Sequence, residues 1–175
     1  MFRRVRETAP GGLVPLAWGF AIAAHLGFVG DRPVLIAHLV MDALLVLFVA
    51  LSWRDMRAGV LRAWRLVILA GIPVTLAGTV GLLRAAAPES APLVAVSVVG
   101  WTLLPVPALW YTGRESNGPA RTVNYVAAAV SLVGALVYLA ALVAGAVPTS
   151  PPRLVGLALV GLGQTVGIVD AVVRY

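Results

Sequence analysis

Residues 25–53 read HLGFVGDRPVLIAHLVMDALLVLFVALSW, and this stretch decides the fold class. From Pro33 to Trp53 it carries one acid, Asp42, one imidazole, His38, and one hydroxyl, Ser52, among otherwise apolar side chains. About twenty helical residues rise roughly 30 Å, the thickness of a bilayer's hydrocarbon core. A run this long and this poor in charge reads as a membrane-spanning helix. Outer-membrane strands are about half as long and alternate in polarity, so a strand is excluded.

Working outward, the same kind of segment recurs along the chain. The apolar runs cover about 13–29, 34–53, 66–83, 92–111, 122–147 and 154–173. They are separated by turn signals: Gly30-Asp31-Arg32-Pro33, the basic run Arg54 to Arg65, Arg84 to Ala91, Gly113 to Arg121, and Pro148 to Pro152. Ser90 is the expected start of the fourth helix. Pro10-Gly11-Gly12 is expected to break the chain before the first span. Pro73, Pro105 and Pro107 are expected to bend the third and fourth spans, and Pro105 to free the Trp101 carbonyl. The fold class that follows is an all-α integral membrane protein. We expect a compact bundle of six transmembrane helices with short loops, forming a single membrane domain over residues 1–175.

Composition agrees. The chain is 61% hydrophobic and 11% charged, against roughly 25% charged in soluble domains. No polar block is long enough for a separate soluble domain. All 13 cations are arginine and none is lysine, which excludes Schiff-base chemistry and fits a GC-rich genome. Cysteine is absent, so disulfides, thiolate metal sites and cysteine nucleophiles are excluded. The formal charge of +6 is expected to sit in cytoplasmic loops rather than on a nucleic-acid surface.

Counting arginines sets an expected orientation. Ten arginines fall on one side (Arg3, Arg4, Arg6, Arg54, Arg57, Arg62, Arg65, Arg114, Arg121, Arg174) and three on the other (Arg32, Arg84, Arg153). The bias places both termini in the cytoplasm, with Trp53, Trp64, Trp110, Tyr111 and Tyr175 near the inner interface. The expected location is the plasma membrane of a prokaryote, multi-pass. Expected partners are the lipid bilayer and a membrane-protein partner or second copy, with no nucleic acid. A cleaved signal peptide ending near Ala23 is the alternative for the first span; it would leave His25 close to the new terminus. Leu76–Leu83 (LAGTVGLL) echoes Leu162–Val169 (LGQTVGIV). In so Gly/Val/Leu-rich a chain we read this as chance rather than an inverted repeat.

The rare polar groups mark the candidate site. His25 and His38 lie equally far from the Asp31–Arg32 turn, so packed antiparallel neighbours would hold them level, about 6–8 Å below the end of the hairpin. Asp42 follows His38 by one helical turn on the same face, about 12 Å deep, where ionisable groups are costly and face the protein interior. Thr75, Thr102, Tyr138 and Gln164 fall at a similar level by the same count. Converging, they would line a small polar cavity; otherwise Thr75 and Thr102 bond their own backbone one turn back. Asp170 is expected to pair with Arg174, and Gly163 and Gly167 to serve packing within the bundle.

No P-loop, GxGxxG, GxSxG or HExxH motif is present, and by the depth count neither histidine is expected level with Ser52, Ser97 or Ser131 to activate it. A non-enzymatic protein is expected. The leading function is binding or moving a small solute or proton at Asp42 and His38. The alternatives are a redox or accessory protein holding haem b or a divalent metal through His25 and His38, and a structural or assembly subunit without ligand.

Overall fold

The computed structural model describes residues 2–87 and 90–174, and the side chains of residues 11–87 and 91–173. The described residues are helical, with no strand. In chain order the helices are α1 (Phe2–His25), α2 (Asp31–Ser52), α3 (Gly59–Leu83), α4 (Ser90–Leu103), α5 (Pro105–Glu115), α6 (Pro119–Val143) and α7 (Pro151–Arg174). Five stretches are long and apolar enough to cross a bilayer: α2, α3, Ala91–Glu115 (α4 and α5 together), α6 and Pro151–Val173. Gly11–His25 of α1 is a shorter apolar helix.

The helix ends follow local chemistry that hydropathy alone does not reveal. α1 stops at His25 rather than Val29 because Gly27 takes φ +78°. The Phe28 N–H then reaches the Ala23 carbonyl and the Gly27 N–H the Ala24 carbonyl, each at 3.0 Å, a left-handed cap that glycine adopts without strain. The same device ends α6 at Val143, with Gly145 at φ +71° and Ala146 N–H bonded to the Ala141 carbonyl at 3.0 Å. Apolar residues 144–147 therefore lie in the connection, not the helix. Pro151-Pro152 opens α7 instead of merely breaking the chain, since a first-turn proline gives up no helical hydrogen bond. Pro10-Gly11-Gly12 does not interrupt α1. Gly11 lies against Val172 of α7, and this packing outweighs the weak helix propensity of the triplet.

Ala91–Glu115 is divided at Leu104, where Pro105 and Pro107 follow. Pro105 has no N–H, so the carbonyl of Trp101 loses its helical partner. Gln164 of α7 supplies a replacement, donating from Nε2 to that oxygen at 3.0 Å.

Packing makes α7 and α6 the centre of the molecule. α7 lies between α6 and α1; α6 also packs on α4 and α5, which in turn meet α3, and α2 packs on α3. α1 and α2 do not form a packed pair, which corrects the hairpin expected from their short connection. The α6–α7 seam is built from small residues. A Cβ on Gly156 would stand 2.8 Å from the Gly134 carbonyl oxygen, and one on Gly134 2.6 Å from that of Gly156. Gly163 meets Ser131 and Ala127, and Gly167 meets Leu109 and Ala127, so both glycines serve packing inside the bundle. On the other side of α7, Gly161 receives the Trp18 ring of α1. Trp18, Ala135, Tyr138, Leu157 and Val160 form the main buried cluster.

Two surface grooves open between helices. One is lined by Val123, Thr165, Val166 and Val169 with Asp170 at its rim; the other by Val74, Ala95, Val96, Val99 and Leu142. Both are mainly apolar, and none of His25, His38 or Asp42 lines either.

Candidate functional site

The polar residues divide into three groups. The first joins α1, α6 and α7 at the end of the bundle that carries the 26–30 turn. His25, the last residue of α1, donates from Nδ1 to the Ala21 carbonyl at 2.8 Å. That bond leaves Nε2 as an acceptor in the neutral ring, and the Tyr138 hydroxyl meets it at 3.0 Å. The two rings are edge-on, centroids 5.7 Å apart. Arg153 from the first turn of α7 lies over the Tyr138 ring at 5.7 Å.

The second group belongs to α2, α3 and α4. His38 donates from Nδ1 to the Val34 carbonyl at 3.0 Å. Its Nε2 stands 3.4 Å from Ser97 Oγ, in a space that Gly78 opens by lacking a side chain; this corrects the expectation that no serine lies level with a histidine. Asp42 accepts a 2.7 Å hydrogen bond on Oδ2 from the Thr79 hydroxyl. Its Oδ1 is enclosed and has no partner. The Thr79 hydroxyl also lies 3.2 Å from the Thr75 carbonyl, so its single proton is shared between two acceptors. No hydrogen bond joins His38 to Asp42, although they sit one turn apart. The imidazole satisfies its donor on its own helix, and the carboxylate turns across to α3.

The third group spans the middle of the bundle. Trp18 Nε1 donates to Gln164 Oε1 at 3.0 Å, and Gln164 Nε2 donates to the Trp101 carbonyl. Trp101 Nε1 donates to Thr75 Oγ1 at 2.9 Å, which donates in turn to the Gly71 carbonyl at 2.9 Å. The chain of bonds runs α1–α7–α4–α3. It ends on backbone carbonyls and passes through indole N–H groups, which donate but do not accept. It is thus a tie between helices and not a proton wire. Thr102 donates to the Val99 carbonyl at 2.7 Å within its own helix.

The seven candidates therefore do not converge on one cavity. Asp42 and His38 share the α2–α3–α4 group, Thr75 connects it to the Gln164 tie, and His25 with Tyr138 is separate. The two histidines are also out of register when counted from their helix ends. His25 closes α1, whereas His38 lies about 10 Å along α2 and Asp42 about 16 Å at 1.5 Å per residue. The 26–30 turn sits earlier in the chain than the Asp31–Arg32 midpoint, and this displacement removes the symmetry. Each imidazole turns its Nε2 to a different helix, with no hydrogen bond or ring contact between them among the described residues. No group of three or more His, Asp or Glu side chains that could hold a metal is assembled among the described residues.

Thr79, Ser97, Trp18, Trp101 and Arg153 are partners that hydropathy reading passes over. Thr79 had a visible signal: it follows Thr75 by one turn, so both hydroxyls share a helix face. Ser97 and Trp101 are likewise spaced by four. Asp170 lies 3.4 Å from Asn124 Nδ2. The expected pairing with Arg174 lies outside the described side chains, as do Arg3, Arg4, Arg6 and Tyr175. Of the aromatic rim, Trp64 donates from Nε1 to Thr112 Oγ1 at 3.2 Å, fastening the start of α3 to the end of α5.

No family model, curated protein or solved structure matches this chain. Fold and site define it as a polytopic helical membrane protein with polar groups enclosed between its apolar helices.

Proposed function

We propose that this chain crosses the membrane six times, with both termini on the arginine-rich cytoplasmic side, and binds and moves a proton or a small cationic solute at Asp42. One observation carries the reading: the carboxylate has one oxygen held by Thr79 and the other enclosed without a donor. A carboxylate at this depth is costly without compensation, and the open oxygen is where a proton or cation supplies it. Among the described residues its one hydrogen-bond partner is a neutral hydroxyl. α3 presents Thr75 and Thr79, α4 presents Ser97, and His38 is the titratable neighbour one turn away. The two imidazoles, turned to separate helices, give less support to a haem or metal centre.

The test is reconstitution in liposomes with a pH-sensitive dye. Asp42→Asn abolishes the proton-linked signal while Thr102→Val preserves it; an unchanged signal in Asp42→Asn overturns the proposal. Infrared spectra of purified protein should contain a carboxyl band that is lost in the same variant. A Soret band or stoichiometric metal that His25→Ala and His38→Ala remove would replace this reading by the redox one. A structural role has its own support in the Gln164 tie, whose bonds are satisfied within the protein. It prevails if substitutions at Asp42 change stability alone.

A further inference from the structure

We infer that the α2–α3 turn is a binding site for the phosphate of an anionic lipid headgroup, with Arg65 as its centre. The inference stands apart from Asp42. Arg65, in the second turn of α3, lies over the Trp53 ring with its guanidinium carbon 4.7 Å from the ring centroid. Its Nη1 donates to the Trp53 carbonyl at 3.4 Å. That contact uses one edge of the fork. The other edge carries Nε, which is enclosed and has no acceptor. Ser52, immediately before Trp53 and only 3% exposed, likewise has a hydroxyl without a partner. Arg65 thus stacks on Trp53 with a donor left over, and no carboxylate pairs with it among the described residues.

The surroundings select the ligand. Arg54 and Arg57 on the turn and Arg62 in the first turn of α3 are exposed and make no ion pair among the described residues. From Ser52 to Arg65 the chain holds four arginines against one aspartate. Leu47 of α2 and Leu61 and Leu66 of α3 are each more than half exposed. Arginines and exposed leucines on one short stretch of chain match an amphiphile with an anionic head and acyl chains. Phosphodiester oxygens can accept from the guanidinium donors that the Trp53 carbonyl leaves unused, and the outlying arginines add attraction of the kind basic membrane-proximal segments exert. Arg153 on Tyr138 has a similar stacked geometry at the opposite end but lacks such an arginine cluster on its turn.

The experiment measures lipid binding by the full chain in detergent, using native mass spectrometry and thermal unfolding with phosphatidylglycerol or phosphatidylcholine added. Phosphatidylglycerol should bind and raise the unfolding temperature, and phosphatidylcholine should not. Arg65→Gln weakens binding about tenfold or more, the loss expected for hydrogen bonds to a charged group. Arg54→Gln and Arg62→Gln, at exposed positions that leave the fold intact, each weaken it about fivefold. Arg65→Lys keeps the charge but loses the fork and falls between. Arg32→Gln, exposed at the opposite end, binds as the natural chain does. Equal binding of the two lipids, or natural affinity in both Arg54→Gln and Arg62→Gln, overturns the inference. So does full protection by inorganic phosphate alone, which would make the site one for a free anion.

Discussion

α7 and α2 are both apolar helices of spanning length, yet they are embedded in opposite ways. In the most apolar window of α7, 39% of the residues are buried within the protein; in that of α2 the figure is 6%. α7 is gripped from two sides, by the glycine seam of α6 and by the Trp18 ring of α1. α2 packs chiefly on α3, touching α4 through His38 and Ser97; it buries only Leu45 and Ser52 and turns most of its leucines and valines outward. The polar side chains follow the same division. On α7, Gln164 is bonded at both its amide atoms. On α2, Asp42 has an oxygen left over. Arg153 at the start of α7 also keeps an enclosed Nε without a partner, so the difference lies in the middle of the two helices: there α7 carries an amide satisfied at both atoms, and α2 carries an acid with an oxygen to spare. That contrast is why function is placed on α2.

The contrast can be broken or sharpened by substitution. The largest effect is expected at the glycine seam: Gly156→Leu forces a branched side chain against the Gly134 carbonyl and the Tyr138 backbone, costing about 3 kcal/mol. The equivalent enlargement on exposed α2, Ala50→Leu, changes stability by less than about 0.5 kcal/mol. Equal effects in reversible unfolding from detergent would erase the distinction between the two helices. Next comes Gln164→Leu, which strands the Trp18 indole N–H and the Trp101 carbonyl and costs about 2 kcal/mol. Tyr138→Phe removes the donor to His25 Nε2 and costs about 1 kcal/mol; hydrogen exchange should show the last turn of α1 opening more often. Among the polar substitutions the smallest change in stability is expected at Asp42→Asn, within about 1 kcal/mol, because an amide oxygen still accepts from Thr79. If Asp42→Asn proves as damaging as Gln164→Leu, Asp42 belongs to the framework and not to a site.

Much of the fold was legible in the residues. Hydropathy located each apolar segment, because an uncharged run of that length has no other stable home. Pro105 announced the freed carbonyl of Trp101, and spacing alone gave the reason. Helix ends were less legible. Gly27 and Gly145 act through a positive φ, a backbone choice that hydropathy does not record, so α1 and α6 end four residues earlier than their apolar runs. The candidate site was legible in its members more than in its grouping. His25 and His38 stood out as the two histidines of the chain, but their partners, Tyr138 and Ser97, come from helices far along it.

By itself, the sequence determined that this is a helical membrane protein, where its apolar segments lie, and that Asp42 is an acid set well inside one of them. These follow from hydrophobic length and the cost of charge in hydrocarbon, which are properties of single segments. Only the tertiary structure decided that α1 packs on α7 and leaves α2, that Gln164 answers the Trp101 carbonyl, and that Asp42 meets Thr79 rather than His38. Lipid tails are as apolar as leucine, so hydrophobicity does not choose neighbours between spanning helices; close approach of small residues and the matching of polar groups do.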